Sequence, residues 1–152
     1  MKIAIGADSA GKPLLDVVAK HLADRGVEVT DLSPGSGSTP EFYADTAERV
    51  GLALTRHEFD RGLLFCGTGI GVCISANKVP GIRAAQAHDT YSAGKAATSN
   101  NAQIITLGAR VVGPELAKSI VDTFLNSAFD AQGSSAGNVG AIDKLDGKRS
   151  AG

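Results

Sequence analysis

The chain has 152 residues, of which 43% are hydrophobic and 20% charged, values expected for one globular domain with a sizeable core. The net charge of −1 and the absence of a basic block argue against a nucleic-acid partner or an anionic membrane surface. The N-terminal stretch, interrupted by Asp8, does not read as a signal peptide. The two cysteines, Cys66 and Cys73, match neither a redox C-x-x-C pair nor a zinc or disulfide framework, so we expect a reducing, cytoplasmic location.

Apolar runs and helical periodicity alternate along the chain. Pro13 suits the first turn of a helix that Gly26 ends, and the stretch SPGSGSTP (residues 33–40) is the clearest loop. In chain order, the pattern predicts a strand at 2–7, a helix at 13–25, a strand at 27–32, a helix at 42–54, a strand at 62–65, a helix at 70–77, a strand at 82–87, a helix at 90–98, a strand at 103–107 and a helix at 114–129.

Strands separated by helices predict an α/β fold, in which a five-stranded parallel sheet carries helices on both faces. Ligands of such sheets bind beyond the carboxyl ends of the strands. Three polar or glycine-rich segments, residues 7–11, 66–71 and 106–110, follow strands and are expected to meet there. We expect an α/β domain over residues 1–130 and a small, polar tail over 131–152 with a short helix at 139–145.

The segment LLFCGTGIGVCISANK (residues 63–78) passes from a buried strand through three glycines into a helix. It is not a P-loop, because no Lys-Ser or Lys-Thr pair follows the glycines. It is not a dinucleotide fingerprint either, since the glycine spacing differs and the turn follows the third strand. Backbone N–H groups of such a turn can still hold an oxyanion.

A thiol stands at the edge of this turn. The same positive field would favour the thiolate of Cys66, which is the reactive form, and Thr68 could pass a proton. Cys66 is therefore a candidate base or nucleophile. The alternative is that it is a small buried residue ending a core strand, as most free cysteines are. For Cys73, in the following helix, we favour the core interpretation.

Residues 63–84, LLFCGTGIGVCISANKVPGIRA, closely resemble the pattern ILxCGTGxGxxxxANKxxGIRA of the ribose-5-phosphate isomerase B and galactose-6-phosphate isomerase family. The resemblance extends from KIAIGADSAG through YSA and GARVVG to the final predicted helix. It implies a flavodoxin-like three-layer sandwich, a homodimer with active sites at the subunit interface, and no metal or organic cofactor. It leaves open whether dimers pair into tetramers, and the tail is expected to pack on the dimer partner.

The resemblance also implies roles for the residues of the turn. Cys66 corresponds to the base that moves a proton between C1 and C2 of an open-chain phosphorylated sugar, and Thr68 to the residue that assists proton transfer between the two oxygens. The backbone N–H groups around the turn would stabilise the enediolate; its glycines are Gly67, Gly69 and Gly71.

Four further residues match substrate-side positions of the family. Asp8 would contact substrate hydroxyls, or it could simply cap the first helix. Tyr43 would face the substrate, or be a half-buried core aromatic. Asn100 would lie near the enediolate, or end a helix. Arg110 would reach the phosphate, in our reading that of the partner subunit, or form a surface or interface ion pair.

Departures from the family pattern bear on the substrate. Ser9 and Ser99 occupy positions where the ribose-5-phosphate enzymes usually have histidines, the second of them thought to open the furanose ring. Ser134 and Asn138 align with two arginines that usually hold phosphate, and neither side chain carries a permanent charge.

A tetrose 4-phosphate cannot close a furanose, because the oxygen needed for the ring is esterified, so a ring-opening histidine would be unnecessary. The segments DSAG, HDTYSA, SNNAQIIT and SAGNVGAID resemble the branch that interconverts D-erythrulose 4-phosphate and D-erythrose 4-phosphate in erythritol breakdown, and we favour this substrate. The alternatives are a pentose-phosphate isomerase in which His88 or another histidine opens the ring, and a non-catalytic sugar-phosphate binder or partner subunit.

Overall fold

The computed structural model describes residues 1–150, which form five strands and six helices. The strands are β1 (Lys2–Ala7), β2 (Glu28–Asp31), β3 (Arg61–Cys66), β4 (Ala84–Gln86) and β5 (Ile104–Gly108). The helices are α1 (Lys12–Asp24), α2 (Tyr43–Thr55), α3 (Ile70–Ala76), α4 (Thr90–Thr98), α5 (Pro114–Leu125) and α6 (Ala136–Ser150).

All five strands run parallel in the order β2-β1-β3-β5-β4. The predicted flavodoxin-like α/β sandwich is thus confirmed, with the last two strands exchanged relative to the flavodoxin order 2-1-3-4-5. The exchange puts β5 between β3 and the edge strand β4. Cys66 at the end of β3 is therefore directly in register with Gly108 at the end of β5.

Two apolar clusters, one on each face of the sheet, hold the layers together. The first joins α1, α4 and α5 to the sheet and includes the fully buried Leu15, Phe65, Ile105 and Phe124. The second joins α2 and α3 to the opposite face through small and β-branched side chains such as Val50 and Val72. Burial of this apolar surface against both faces is the main stabilising contribution.

Before the C-terminal helix, two element boundaries differ from the sequence-based expectation by two residues or more. β4 begins at Ala84 rather than at residue 82, because the Ile82 N–H donates to Val79 O in a turn. α5 ends at Leu125 rather than at residue 129, and the Ser127 carbonyl just beyond it accepts a hydrogen bond from Arg61 Nη2 (3.2 Å) instead of continuing the helix.

The C-terminal helix α6 spans 15 residues, about twice the predicted length, because three glycines mask its helical pattern in the sequence. Polar contacts attach it to the segment before β4: Asp143 pairs with Arg83 (2.6 Å) and Asp146 accepts the Gly81 N–H (2.8 Å). Within residues 1–150 no helix combines the length and apolar character needed to cross a lipid bilayer.

Candidate active site

Cys66 is the last residue of β3, and its side chain is 5% exposed. The chain then turns sharply through Gly69, whose φ of +76° lies in the left-handed region that favours glycine. This turn brings the Gly69 N–H back to Cys66, so that the Sγ atom accepts a hydrogen bond with an N···S distance of 3.1 Å. Donation from a backbone amide stabilises the anionic form of such an acceptor.

The rest of the turn offers a hydroxyl and free amide groups. Thr68 is exposed, and its Oγ1 accepts the Ile70 N–H at 3.2 Å. In the part of the chain that the structure describes, the N–H groups of Gly67 and Thr68 have no acceptor. Two peptide donors beside a thiol are suited to an oxyanion that forms during a reaction.

Two side chains from neighbouring strands hold the carbonyl oxygens of this turn. Gln86, at the end of β4, donates from Nε2 to Thr68 O (2.8 Å), and the fully buried Thr106 of β5 donates from Oγ1 to Gly69 O (2.7 Å). The sequence reasoning missed both residues. The available signal was Thr106, which interrupts the otherwise apolar strand IITLG.

His88 follows β4 and links it to β5, because its Nε2 accepts the Gly108 N–H at 2.9 Å. Partial burial lowers the pKa of His88, and the nearby Asp89 carboxylate opposes this effect. The imidazole is therefore neutral at neutral pH, with Nε2 already engaged. This geometry disfavours His88 as the acid or base that opens a sugar ring.

Arg110 places a positive charge over the turn. A Cβ atom added to Gly67 would lie 3.0 Å from Arg110 Nη1, so the guanidinium packs directly on the glycine. Among the described residues this guanidinium forms no ion pair or hydrogen bond, and Arg110 is exposed. The predicted ion pair is thus not found within the described chain, and the cation is free to meet an anion.

Asp8, Ser9 and Tyr43 line a pocket of about 240 Å³ beside the turn. Asp8 Oδ1 accepts the Gly11 N–H (2.9 Å) just before α1, which fits the capping alternative for one of its two oxygens. Tyr43 is 44% exposed and its ring lies against Gly71, where an added Cβ would be 2.6 Å from the ring carbon Cζ. Tyr43 is therefore a pocket residue rather than a core aromatic.

The outer wall of this pocket is the loop of residues 34–41, held by Arg49. Arg49 donates to Leu32 O (2.6 Å) and to both carboxylate oxygens of Glu41, which also accepts the Thr46 hydroxyl (2.6 Å). Hydrogen bonding to Arg49 is the main cause that lowers the pKa of Glu41. The loop that borders the pocket is thus hydrogen-bonded to α2, and Arg49 of α2 also contacts Leu32 just after β2.

Three predicted residues do not join this site within one chain. Ser99 and Asn100 follow α4 at the amino end of β5, and β5 spans four residue steps of about 3.3 Å, or about 13 Å, from that end to Gly108. Asn138 lies in α6, which is attached to the same edge through Asp143. Cys66 lies at the opposite edge. Within one chain these three residues therefore lie away from Cys66.

Cys73 takes no part in the arrangement. It is half-buried in α3, where its Sγ lies 3.6 Å from Ala84 O and 3.7 Å from Asn77 Nδ2. Both cysteines are free thiols. No group of three or more potential metal ligands occurs among the residues that the structure describes.

A thiol, two free amides, a hydroxyl and an unpaired guanidinium at one sheet edge are what proton transfer on an anionic substrate needs. The family model described as "Ribose/Galactose Isomerase" matches residues 3–142. The chain belongs to the ribose/galactose isomerase family. It is therefore an aldose-ketose isomerase.

Curated members of the ribose/galactose isomerase family include close relatives of the chain. It is 52% identical to D-erythrulose-4-phosphate isomerase of Pectobacterium atrosepticum over 88% of both chains. It is 46% identical to ribose-5-P isomerase B of Listeria innocua over 97% of this chain and 99% of the relative. These relatives are named for small phosphorylated sugars.

A solved structure of the ribose/galactose isomerase family has the same fold. The ribose-5-phosphate isomerase B of Clostridium thermocellum superposes with a TM-score of 0.91 at 44% identity, covering 98% of this chain and 99% of that one. The overall fold of the chain has thus already been seen in this family.

Proposed function

We propose that the chain interconverts D-erythrulose 4-phosphate and D-erythrose 4-phosphate through an enediolate, with Cys66 as the general base. The observation that carries the proposal is the buried Cys66 Sγ, which accepts the Gly69 N–H at 3.1 Å. Arg110, unpaired within the described chain, lies over the adjacent Gly67.

The reaction is a proton transfer between neighbouring carbons. The Cys66 thiolate removes a proton from C1 of the ketose, and the electron pair moves through C1–C2 onto O2, giving an enediolate. The resulting thiol returns the proton to C2, which leaves the carbonyl at C1. The Thr68 hydroxyl moves a proton between O1 and O2, and the free N–H groups of Gly67 and Thr68 stabilise the developing negative charge.

The polar residues around Cys66 divide the remaining tasks. Arg110 packs on Gly67 of its own chain, so we assign it to the phosphate at this site and not, as expected from the resemblance, to that of the partner subunit. A guanidinium can hold a phosphate with two parallel hydrogen bonds. Asp8, Ser9 and Tyr43 line the pocket next to the turn and hold the hydroxyl groups of the sugar. The free oxygen of Asp8 is an acceptor for such a hydroxyl, because only Oδ1 is used by Gly11.

We choose an acyclic tetrose as substrate because the part of the site that the structure describes lacks a histidine free to open a sugar ring. Serines stand at positions 9 and 99, and a serine hydroxyl does not titrate near neutral pH as a histidine does. His88 already uses Nε2 for the Gly108 N–H. A sugar that cannot form a furanose needs no such group, and the 52% identity to a D-erythrulose-4-phosphate isomerase supports the same choice.

We further propose that the working unit is a symmetric homodimer, in which each site takes Ser99, Asn100 and Asn138 from the partner subunit. These residues lie at the sheet edge opposite Cys66 of their own chain. A two-fold axis that brings the amino edge of one sheet to the carboxyl edge of the other would unite them, and does so twice by symmetry.

Proton NMR in D₂O tests the substrate. Purified protein is incubated in parallel with D-erythrulose 4-phosphate and with D-ribulose 5-phosphate, while solvent deuterium in the sugar and the aldose product are followed. We expect rapid exchange and turnover with the tetrulose and little with the pentulose. Activity of the purified chain alone also excludes a role limited to binding or to supporting a second type of subunit.

Ribose-5-phosphate isomerisation is the second candidate, favoured by the 46% identity to a ribose-5-P isomerase B. A preference for the pentulose in the same experiment would support it and would require another group to open the ring. Deuterium exchange into neither sugar would contradict both candidates. A Cys66→Ala sample run alongside is the control for exchange not catalysed at this site.

A further inference from the structure

The carbonyl oxygens of Thr68 and Gly69 are both held by side chains that lie outside the turn. Gln86 Nε2 lies 2.8 Å from Thr68 O, and Thr106 Oγ1 lies 2.7 Å from Gly69 O. Gln86 is exposed at the end of an edge strand, whereas Thr106 is fully buried in β5. Neither side chain hydrogen-bonds to the thiol or hydroxyl to which we assign the proton transfers.

Because a peptide unit is planar, a side chain that holds its carbonyl oxygen also fixes the direction of its N–H. The peptide bonds of the turn are trans, so the C=O and the N–H of one peptide unit point in opposite directions. The unit that carries Thr68 O also carries the Gly69 N–H, which donates to Cys66 Sγ (3.1 Å). The unit that carries Gly69 O also carries the Ile70 N–H, which donates to Thr68 Oγ1 (3.2 Å).

We propose that Gln86 and Thr106 are positioning residues of the isomerase: they hold the Thr68 and Gly69 carbonyls and thereby aim the Gly69 N–H at Cys66 and the Ile70 N–H at Thr68. A donor on the carbonyl also polarises the peptide and strengthens its N–H as a donor. This inference rests on the proposed roles of Cys66 and Thr68. Gln86 thus acts on the thiolate, and Thr106 on the hydroxyl that moves the second proton.

The two side-chain donors add to the backbone packing that holds the turn against β5. Gly69 has a positive φ, and glycine populates several backbone basins at similar energy. A rotation of either peptide unit would turn its N–H away from the reactive group, and each side-chain donor opposes that rotation. Gln86 of β4 and Thr106 of β5 hold two successive peptide units, so the pairing of these strands sets the direction of both N–H groups.

The role of Gln86 is tested by measuring the fraction of Cys66 present as thiolate, in the absence of sugar. The ultraviolet absorbance of the thiolate is titrated in a Cys73→Ser background, and a Cys66→Ala protein supplies the blank for the tyrosines. The change is Gln86→Met, which keeps the length of the side chain and removes the donor. The titratable and charged groups around the turn, Asp8, Tyr43, His88 and Arg110, are the same in both proteins.

We expect Gln86→Met to lower the thiolate-to-thiol ratio at a given pH about tenfold, the factor for loss of one hydrogen bond to an anion. The matched control is Gln103→Met, since Gln103 Nε2 also donates to a backbone carbonyl, Gly81 O, but at the opposite edge of the sheet. That variant should leave the thiolate titration unchanged. A wild-type titration in folded Gln86→Met protein would overturn the inference for Gln86.

Thr106 is tested by the kinetics of the reaction. We expect Thr106→Val to lower kcat about tenfold with little change in KM and none in the thiolate titration, and Thr106→Ser to restore kcat. An unchanged kcat, or a loss that Thr106→Ser does not recover, would overturn the inference for Thr106. Thermal unfolding checks each variant, and Thr106→Ala replaces Thr106→Val if the latter does not fold.

The two proposals fail in distinguishable ways. Since the thiolate titration needs no substrate, a shift in Gln86→Met supports the positioning role even where neither sugar phosphate is isomerised. Normal isomerisation together with an unshifted titration contradicts the positioning role and leaves the proposed reaction standing.

Discussion

Cys66 Sγ is 3.1 Å from the Gly69 amide nitrogen, while the cysteine side chain is almost fully buried at the end of β3. Burial alone disfavours a thiolate, and a backbone donor offsets that cost. A buried cysteine in a core strand is usually inert. The peptide group aimed at its sulfur is what separates this residue from that common case.

Replacing the thiol tests its role. We expect Cys66→Ala to abolish turnover and solvent-proton exchange, because no other described group replaces the base, while substrate binding by calorimetry stays close to wild type. Thr68→Ala should lower kcat within the range of about 10²–10⁴-fold for a single acid-base contributor, and by less than Cys66→Ala. Substantial turnover by Cys66→Ala would remove Cys66 as the base.

The backbone at Gly69 is a second point of sensitivity. A Cβ there would meet Leu107 C at 2.9 Å with φ at +76°, so Gly69→Ala should destabilise the protein by about 1–3 kcal/mol and displace the N–H from Cys66. Urea unfolding and kcat measure the two effects. Gly140→Ala is the control, because Gly140 lies in α6 with open space around it, and the change should stabilise by about 0.5–1 kcal/mol.

At the scale of elements, residues of β4 and β5 support the turn that follows Cys66. β4 is short, yet two polar contacts extend its connection to the turn and to β5: Gln86 donates to Thr68 O, and the Gly108 N–H donates to His88. Thr106 of β5 donates to Gly69 O in the turn. The backbone of Thr68 packs so closely on Gly108 that an added Cβ would be 2.6 Å from Thr68 C. The turn is therefore supported from below by β5 and from the side by β4.

His88 gives this support a pH dependence. Its pKa is lowered in the folded protein, chiefly by burial. Its contribution to stability is therefore complete above the unfolded value near 6.5 and is lost as pH falls from that value through the lower folded one. Protonated Nε2 cannot accept the Gly108 N–H. We expect the free energy of unfolding to drop more between pH 7.5 and 5.5 in wild type than in His88→Gln, whose side-chain oxygen accepts without titrating.

Urea unfolding at the two pH values measures this difference. Since the other titrating groups are common to both proteins, their contributions cancel in the comparison. An equal drop in wild type and His88→Gln would contradict the role of His88. A larger drop in His88→Gln would contradict it as well.

At the scale of the whole molecule, the residues of the proposed site lie at opposite edges of the sheet of one chain. Cys66 and Arg110 lie at the carboxyl edge, and Ser99 and Asn100 at the amino edge. β5 alone separates the two edges by about 13 Å. Activity in this arrangement would depend on association, and therefore on protein concentration.

Subunit mixing tests this dependence. We expect Cys66→Ala and Asn100→Ala homodimers to be strongly impaired, because every site lacks one residue. After they are mixed equally and allowed to exchange, half of the dimers are hybrids in which one of the two sites is intact, so activity should return to about a quarter of wild type. Unmixed samples treated identically are the control, and no gain on mixing would argue against shared sites.

Several features of the site could be read from the sequence, because they depend on local order along the chain. The thiol at the end of a buried run, the glycines after it and the helix that follows determined the position of Cys66, Thr68 and Gly69 at the carboxyl edge. The alternation of strands and helices likewise determined a parallel sheet covered on both faces. Such patterns concern neighbouring residues, and burial period and turn chemistry suffice to interpret them.

Other features were decided by tertiary structure alone. The exchange of β4 and β5, which brings Gln86 and Thr106 to the turn, depends on which strands pair, and no local pattern specifies that pairing. Asn100 is separated from Cys66 for a different reason: Asn100 precedes β5 whereas Cys66 ends β3, so two parallel strands place them at opposite edges of the sheet. The length of α6 depended on contacts of Asp143 and Asp146 with a segment about 60 residues earlier. Local sequence thus determined the reactive residues of the turn, and strand pairing determined which side chains lie around them.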